Sequence, residues 1–142
     1  MKIMHLMRTY GGSGGEQQLS QMFSVKNKYS DKEFFVKFFK DNEFDDLFIK
    51  RSPFLKRYTL KNIYVEPGEK WYELFIIIKF LPSLILNLIR VLNEEKPTLC
   101  ITHGFQSGFL FWFFSILLKN CNWIYFHRTS KEKKNLIFFK LF

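Results

Sequence analysis

Short extended apolar runs alternate with helical stretches along most of this chain. The extended runs lie at residues 2–7, 33–39, 62–65, 98–102 and 122–126. The helical stretches lie at residues 16–28, 70–94 and 109–119. Strands that alternate with helices favour a parallel sheet covered by helices on both faces. We therefore expect an α/β fold.

The length of the chain leaves room for one hydrophobic core, so we expect a single domain over residues 1–142. Hydrophobic residues make up 47% of the sequence and charged residues 25%, which excludes the disordered and low-complexity classes. Residues 137–142, Ile-Phe-Phe-Lys-Leu-Phe, contain no helix cap and no polar tail. From this ending we expect the domain to be incomplete at its C-terminal end.

Basic residues outnumber acidic ones, with 22 Lys and Arg against 13 Asp and Glu and a net charge of +9. This charge favours phosphate groups, acidic lipid headgroups or nucleic acid as partners, without choosing among them. Aromatic residues make up 20% of the chain, and so much ring surface requires a core, a partner or a bilayer surface to cover it. Of two strongly apolar stretches, residues 74–92 carry Lys79 and Arg90 and fit a helix lying on protein or on a membrane better than a spanning helix. The other stretch is residues 109–118.

Several kinds of chemistry lack support in the sequence. Cys100 and Cys121 form no CxxC pair and no Cys/His set, so we expect neither a metal site nor a disulfide framework. The HExxH and GxSxG motifs and the KH, RRM and zinc-finger signatures of nucleic-acid binders are absent. Residues 1–7 are too short for a signal peptide, and two isolated thiols fit a reducing, cytoplasmic location.

A glycine-rich segment follows the first predicted strand, in the place where parallel α/β sheets bind ligands. Residues 11–15, Gly-Gly-Ser-Gly-Gly, stand directly before a helix. Glycines let the backbone approach a ligand closely, and the amides at a helix start attract phosphate. The segment matches neither GxxxxGK[ST] nor GxGxxG, and a flexible turn is the alternative interpretation.

Histidines follow two later predicted strands. His103 and Gly104 come after residues 98–102, and residues 127–130, His-Arg-Thr-Ser, come after the last strand. A histidine at a strand end can donate to a substrate oxygen or titrate near neutral pH, while Arg128 and the hydroxyls beside it add donors for an oxyanion. His5 lies inside the first strand, and we expect it to be a packed, hydrogen-bonded core residue.

These segments together resemble the family-4 (group 1) glycosyltransferases of GT-B fold. Residues 1–7, the glycine-rich loop and residues 14–19, Gly-Gly-Glu-Gln-Gln-Leu, are similar to the amino-terminal signature of that family. Residues 98–108 resemble its strand, His-Gly turn and buried helix, and residues 123–130 resemble its next strand, which ends in His followed by small hydroxyl residues. One departure is Ser13, where the family often has Gly.

The resemblance implies a Rossmann-like parallel sheet flanked by helices, which forms the N-terminal half of a GT-B architecture. In that family the first domain binds the acceptor, and a second domain, absent from residues 1–142, binds the nucleotide sugar. The implied activity is retaining hexosyl transfer from a nucleotide sugar to a glycan or lipid-linked acceptor in cell-surface polysaccharide biosynthesis, with no metal or other cofactor. With half of a cleft we expect the chain alone to be inactive, because one side cannot stabilise the transition state.

The resemblance also assigns roles to single residues. The implied donor pyrophosphate-binding residues are Gly14, Gly15 and Glu16. The two glycines would approach the pyrophosphate, and Glu16 would start the following helix near the cleft. His127 would be the catalytic residue, in contact with the transferred sugar or the acceptor group. The implied acceptor-binding residues are His103, Gly104, Arg128 and Thr129.

A second function of a different class remains open, namely a small membrane-associated binding or assembly protein without catalysis. It would use the apolar stretches at residues 74–92 and 109–118. For either function we expect a cytoplasmic protein at the inner face of the plasma membrane, where the net charge of +9 suits an anionic lipid surface. We expect no nucleic-acid partner.

Overall fold

The computed structural model describes residues 1–9, 14–25, 32–40, 50–53, 55–66, 70–115 and 121–126. The strands are β1 (Ile3–Met7), β2 (Glu33–Lys40), β3 (Lys56–Tyr64), β4 (Leu99–His103) and β5 (Asn122–Phe126). The helices are α1 (Gly14–Val25), α2 (Lys70–Glu95) and α3 (Phe105–Ser115).

The strands form one five-stranded parallel sheet in the order β3-β2-β1-β4-β5. The α/β prediction is confirmed, and the sheet with its flanking helices is consistent with a Rossmann-like arrangement. The strand β1 lies between β2 and β4, so that Ile3 is in register with both Glu33 and Leu99. The direction of winding therefore reverses between β1 and β4, which is the topological switch point of the sheet.

Two hydrophobic clusters cover the two faces of the sheet. On one face, Met4 and Leu6 of β1 belong to a large cluster that includes buried residues of α2 and α3. On the other face, Met7 packs with Leu19 and Phe23 of α1. Because β2 is covered from both sides, all its residues from Glu33 to Phe39 are buried. Four phenylalanines, Phe34, Phe35, Phe38 and Phe39, are thereby placed in the core.

Two elements begin four or more residues earlier than the sequence predicts. The strand β3 begins at Lys56, whereas the sequence predicts a strand only from residue 62. The residues of this edge strand are exposed or half-buried except for Leu60, which is buried, so the strand carries many polar residues. The helix α3 begins at Phe105, not at residue 109, because the turn is completed at Gly104 with a positive φ of 85°. The polar residues of the expected longer turn are therefore helical.

Candidate functional site

The candidate site lies at the carboxyl edge of the sheet, where β1 and β4 end side by side. Met7, the last residue of β1, is in register with His103, the last residue of β4. The helix α1 follows β1 in the chain, and α3 follows β4 directly. Ligands of open α/β sheets bind at this edge and at this switch point, because helix N-termini and strand ends converge there.

Gly14 and Gly15 form the start of α1, so this helix begins before Glu16 and not at it. The first amides of a helix have no partner within the helix and carry its positive partial charge. Because glycine has no side chain, a ligand can closely approach the backbone N–H groups of these two residues. Glu16 is fully buried, and an acidic residue in the first turn stabilises a helix through the same partial charge.

The turn from β4 into α3 depends on Gly104. Its φ of 85° lies in the left-handed region that residues with a side chain rarely adopt. The turn is closed by the amide of Gly108, which donates to the carbonyl of Gly104 over 3.1 Å. His103, directly before the turn, is buried. The predicted pair His103 and Gly104 is thus placed at the switch point.

His5 is a buried, hydrogen-bonded residue, as predicted, and it contacts the candidate site. Its Nδ1 lies 3.1 Å from Nε2 of His103, and the two rings are stacked with centroids 5.4 Å apart. The ring of Phe23 from α1 stands edge-on to it at 4.9 Å. The sequence predicts His5 as a core residue and His103 as a site residue, whereas in the structure their rings are in contact.

Glu33 at the start of β2 extends this pair into a chain of three groups. Its Oε2 lies 3.3 Å from Nε2 of His5. A carboxylate oxygen at this distance favours a proton on that nitrogen, because a lone pair there would face negative charge. In neutral His5 the Nδ1 atom is then the acceptor, and Nε2 of His103 is the donor. It follows that Nδ1 is the acceptor nitrogen of the His103 ring.

Arg8 connects the end of β1 to the surrounding elements, a role that no sequence motif predicts. Its guanidinium donates to the carbonyl of Val65 over 3.0 Å and lies 3.5 Å from a carboxylate oxygen of Glu73. It also lies over the ring of Phe39, 5.0 Å from the centroid. The side chains of Arg8 and Glu73 are both buried. This charge pair holds the ends of β1 and β3 and the start of α2 together.

Ser107 makes a second connection at this edge. Its hydroxyl accepts from the amide of Arg8 over 3.1 Å and donates to the carbonyl of His103 over 3.0 Å. One serine on α3 thereby fixes the relative position of the β1 and β4 ends. Position alone could have identified Arg8, which directly follows a strand. Ser107 gave no such signal, because it was expected in a turn.

An apolar groove of about 260 Å³ lies beside α3 and β5. Its walls are aromatic except for Gly108, and Gly108 lets the ring of Tyr125 lie against the helix. Its lining consists of Phe105, Gly108, Phe109, Trp112, Trp123 and Tyr125. Since Phe105 is the first residue of α3, the groove begins next to the turn at Gly104.

Three residues of the predicted site, His127, Arg128 and Thr129, lie outside the described residues. Their chain segment directly follows Phe126, the last residue of β5. Within the described ranges, no group of three or more His, Cys, Asp or Glu residues is placed to hold a metal ion. The described part of the site therefore consists of backbone amides, a histidine pair and buried charges.

Comparison with known proteins gave no match of any kind. No family model matches the chain, and neither a curated protein nor a solved structure matches it. The choice of a function therefore depends on the motifs in the sequence and on the geometry at the carboxyl edge.

Proposed function

We propose that this chain is the acceptor-side domain of a glycosyltransferase of GT-B architecture. It would serve transfer of a hexose, with retention, from a nucleotide sugar to a glycan or lipid-linked acceptor in cell-surface polysaccharide biosynthesis. The observation that carries the proposal is the topology at the switch point: β1 leads to Gly14 and Gly15 at the start of α1, and His103 ends the neighbouring strand β4. The order of the motifs along the chain supports the same function.

In this proposal the two glycines approach the donor pyrophosphate with backbone amides. Two unpaired amides and the positive end of a helix stabilise a phosphate without requiring a lysine or a metal. Val side chains at these positions would prevent the approach. Glu16, being buried, acts on the helix and not on the ligand directly.

His103 and Gly104 belong to the acceptor side, together with Arg128 and Thr129. His103 is buried, so it would line the acceptor pocket from behind Gly104 rather than bind the acceptor at the surface. His127 is the proposed catalytic residue, in contact with the transferred sugar. A second α/β domain would supply the rest of the nucleotide-sugar site, so we expect binding by this chain without turnover.

The proposal is tested by titrating the chain with UDP-glucose, UDP-N-acetylglucosamine and GDP-mannose and observing binding by saturation-transfer NMR. We expect weak binding of at least one of these nucleotide sugars, with saturation strongest on the diphosphate-proximal protons. The double variant Gly14→Val/Gly15→Val should lose this signal, because the added side chains exclude the pyrophosphate sterically.

The matched control is Gln21→Val/Met22→Val, which places the same side chains on exposed positions of the same helix. It should bind as the wild type does, and circular dichroism should show both variants folded. Failure of the wild type to bind any of the three nucleotide sugars, or equal binding by the glycine variant, would refute the assignment of Gly14 and Gly15 to the donor pyrophosphate.

The non-catalytic alternative, a membrane-associated binding protein, is favoured by one observation on α2. Among the described residues, α2 is the one helix long and apolar enough to cross a membrane by length and composition. The two functions are distinguished by the nucleotide-sugar titration, since a pure membrane-binding protein gives no diphosphate-specific signal.

A further inference from the structure

Two opposite faces of the helix α2 are apolar, and only one of them packs against the rest of the domain. Ile77, Leu84 and Leu88 point inward and are completely buried in the large core cluster. On the outer side, Trp71 is 80% exposed and Phe75 is 66% exposed.

The outer apolar residues form one continuous stripe along the helix. Trp71, Phe75, Ile78, Pro82 and Leu86 are all exposed and follow each other at intervals of three or four residues. Residues at this spacing lie on the same side of a helix. A stripe of this length on the surface of a protein marks an interaction surface.

The exposed charges nearest the stripe are basic, and the exposed Glu94 near the helix end pairs with Lys56. Lys79 and Arg90 are exposed on α2, whereas Glu73 is buried and faces Arg8. Lys61 of the neighbouring strand β3 lies with its Nζ 5.7 Å from the centroid of the Phe80 ring. An apolar stripe flanked by cations complements an anionic bilayer surface, in which acyl chains lie beneath negative headgroups.

Amphipathic aromatic residues gather at one end of the helix. Tyr64 ends β3, and Tyr72 follows Trp71 in the first turn of α2; both tyrosines are 55% exposed. Trp and Tyr side chains favour the headgroup level of a membrane, because their rings are apolar and their N–H or O–H groups remain hydrated. This end of α2 is at the carboxyl edge of the sheet, the edge that holds the candidate site.

From these observations we propose that the outer face of α2 docks on an anionic phospholipid bilayer. The helix lies in the plane of the interface, since its inner face stays packed on the sheet, and its aromatic end brings the carboxyl edge to the lipid surface. This inference does not depend on sugar transfer.

The test is co-sedimentation of the 142-residue chain with phosphatidylcholine vesicles, with and without phosphatidylglycerol. The chain should bind the anionic vesicles more strongly, with a blue shift of tryptophan fluorescence. Phe75→Ser/Leu86→Ser should weaken binding to both vesicle types by about tenfold or more, because buried apolar surface is lost. Lys79→Gln/Arg90→Gln should weaken binding to the anionic vesicles alone, by roughly fivefold per charge.

Met22→Ser on α1 is the control, since Met22 is an exposed apolar residue on the helix that covers the opposite face of the sheet. It should leave vesicle binding unchanged. No binding of the wild type, or equal loss in the control and the Phe75→Ser/Leu86→Ser variant, overturns the proposal. A dimer in light scattering that Phe75→Ser/Leu86→Ser dissociates, without vesicle binding, assigns the face to a second copy of the chain and overturns it as well.

Discussion

At the scale of single residues, the tautomers of His5 and His103 depend on each other. Nδ1 of His5 and Nε2 of His103 are 3.1 Å apart, so in the neutral rings one of these nitrogens donates and the other accepts. The carboxylate oxygen of Glu33, 3.3 Å from Nε2 of His5, favours a proton on that nitrogen, which makes His103 the donor of the pair.

We predict that Glu33→Gln changes the tautomer of His5. In the wild type at neutral pH, two-bond ¹H–¹⁵N spectra should show Nε2 protonated in both histidines, because the carboxylate sets the tautomer of His5 and thereby that of His103. An amide can present either a donor or an acceptor to His5, so the variant should show mixed tautomers. His103 should change with His5, because the two rings are hydrogen-bonded to each other.

The control for this measurement is Glu94→Gln, which removes a half-exposed carboxylate that pairs with Lys56. The histidine spectra of this variant should match those of the wild type. Identical spectra for Glu33→Gln and wild type would show that Glu33 does not set the tautomers.

At the scale of elements, the close packing of α3 against β5 depends on one glycine, Gly108. A Cβ added at Gly108 would lie 2.6 Å from the Tyr125 ring, whereas at Gly104 the nearest atom would be 3.9 Å away. Gly108 is inside a helix, where alanine is intrinsically better by about 1 kcal/mol. Close packing against β5 therefore opposes the helix propensity at this position.

We predict that Gly108→Ala destabilises the wild type by about 1 kcal/mol, because the tyrosine ring must shift. In a Tyr125→Ala background the same substitution should stabilise by up to about 1 kcal/mol, since only the helix propensity remains. Urea denaturation of the four proteins of this cycle measures the coupling.

Gly104→Ala provides the comparison, because its cost comes from the positive φ and not from a neighbour. Gly104→Ala should lower the free energy of unfolding by the same amount in the wild-type and Tyr125→Ala backgrounds. If Gly108→Ala also has the same effect in both backgrounds, the contact with Tyr125 does not limit the packing of α3.

The sequence predicted elements well where apolar periodicity was strong and poorly where polar residues formed regular structure. The strand β5 was predicted with the bounds Asn122–Phe126 that the structure has. The start of β3 was missed, because half of an edge strand is polar. The start of α3 was missed because Gly104, Ser107 and Gly108 predicted a longer turn, whereas only Gly104 adopts a turn conformation.

The candidate site was predictable only in part. His103 and Gly104 follow from the rule that strand ends hold ligands. The contact of His5 with His103 and Glu33 required the register of three strands, two of which are not neighbours of each other. The roles of Arg8 and Ser107 depend likewise on which ends the sheet brings together. Pairings of this kind are not encoded in local sequence patterns.

At the scale of the whole molecule, a charged cluster at the amino edge joins the start of the sheet to the end of α2. Glu95 accepts from Lys2 before β1 and from Lys56 and Tyr58 of β3. Burial by itself would raise the pKa of Glu95, but the hydrogen bonds from Lys2, Lys56 and Tyr58 outweigh it and lower the pKa to about 2. Burial, followed by the hydrogen bond to Glu95, raises the pKa of Tyr58 to about 12.

We predict that this cluster makes folding sensitive to acid. The pKa of Glu95 is lower in the folded chain, at about 2, than its ordinary value of 4.5. Its contribution to stability is therefore complete above pH 4.5 and is lost as the pH falls towards 2. Urea denaturation at several pH values should show this loss, about 1–2 kcal/mol, in the wild type.

Glu95→Gln should be less stable than the wild type at pH 7 and should lose less stability on acidification. Glu94→Gln is the control, because Glu94 is half-exposed while Glu95 is buried in the same cluster. An acid dependence of Glu95→Gln identical to that of the wild type would contradict the role of this carboxylate.

The position of β1 in the centre of the sheet also has a consequence for synthesis of the protein. His5 and its contact His103 are separated by 98 residues, and β4 pairs with β1 directly. A ribosome needs roughly 5–20 s to add that many residues, during which one side of β1 has no strand to pair with. The nascent chain thus carries an open strand edge until β4 is synthesised, and chaperone binding during that interval would protect it from aggregation.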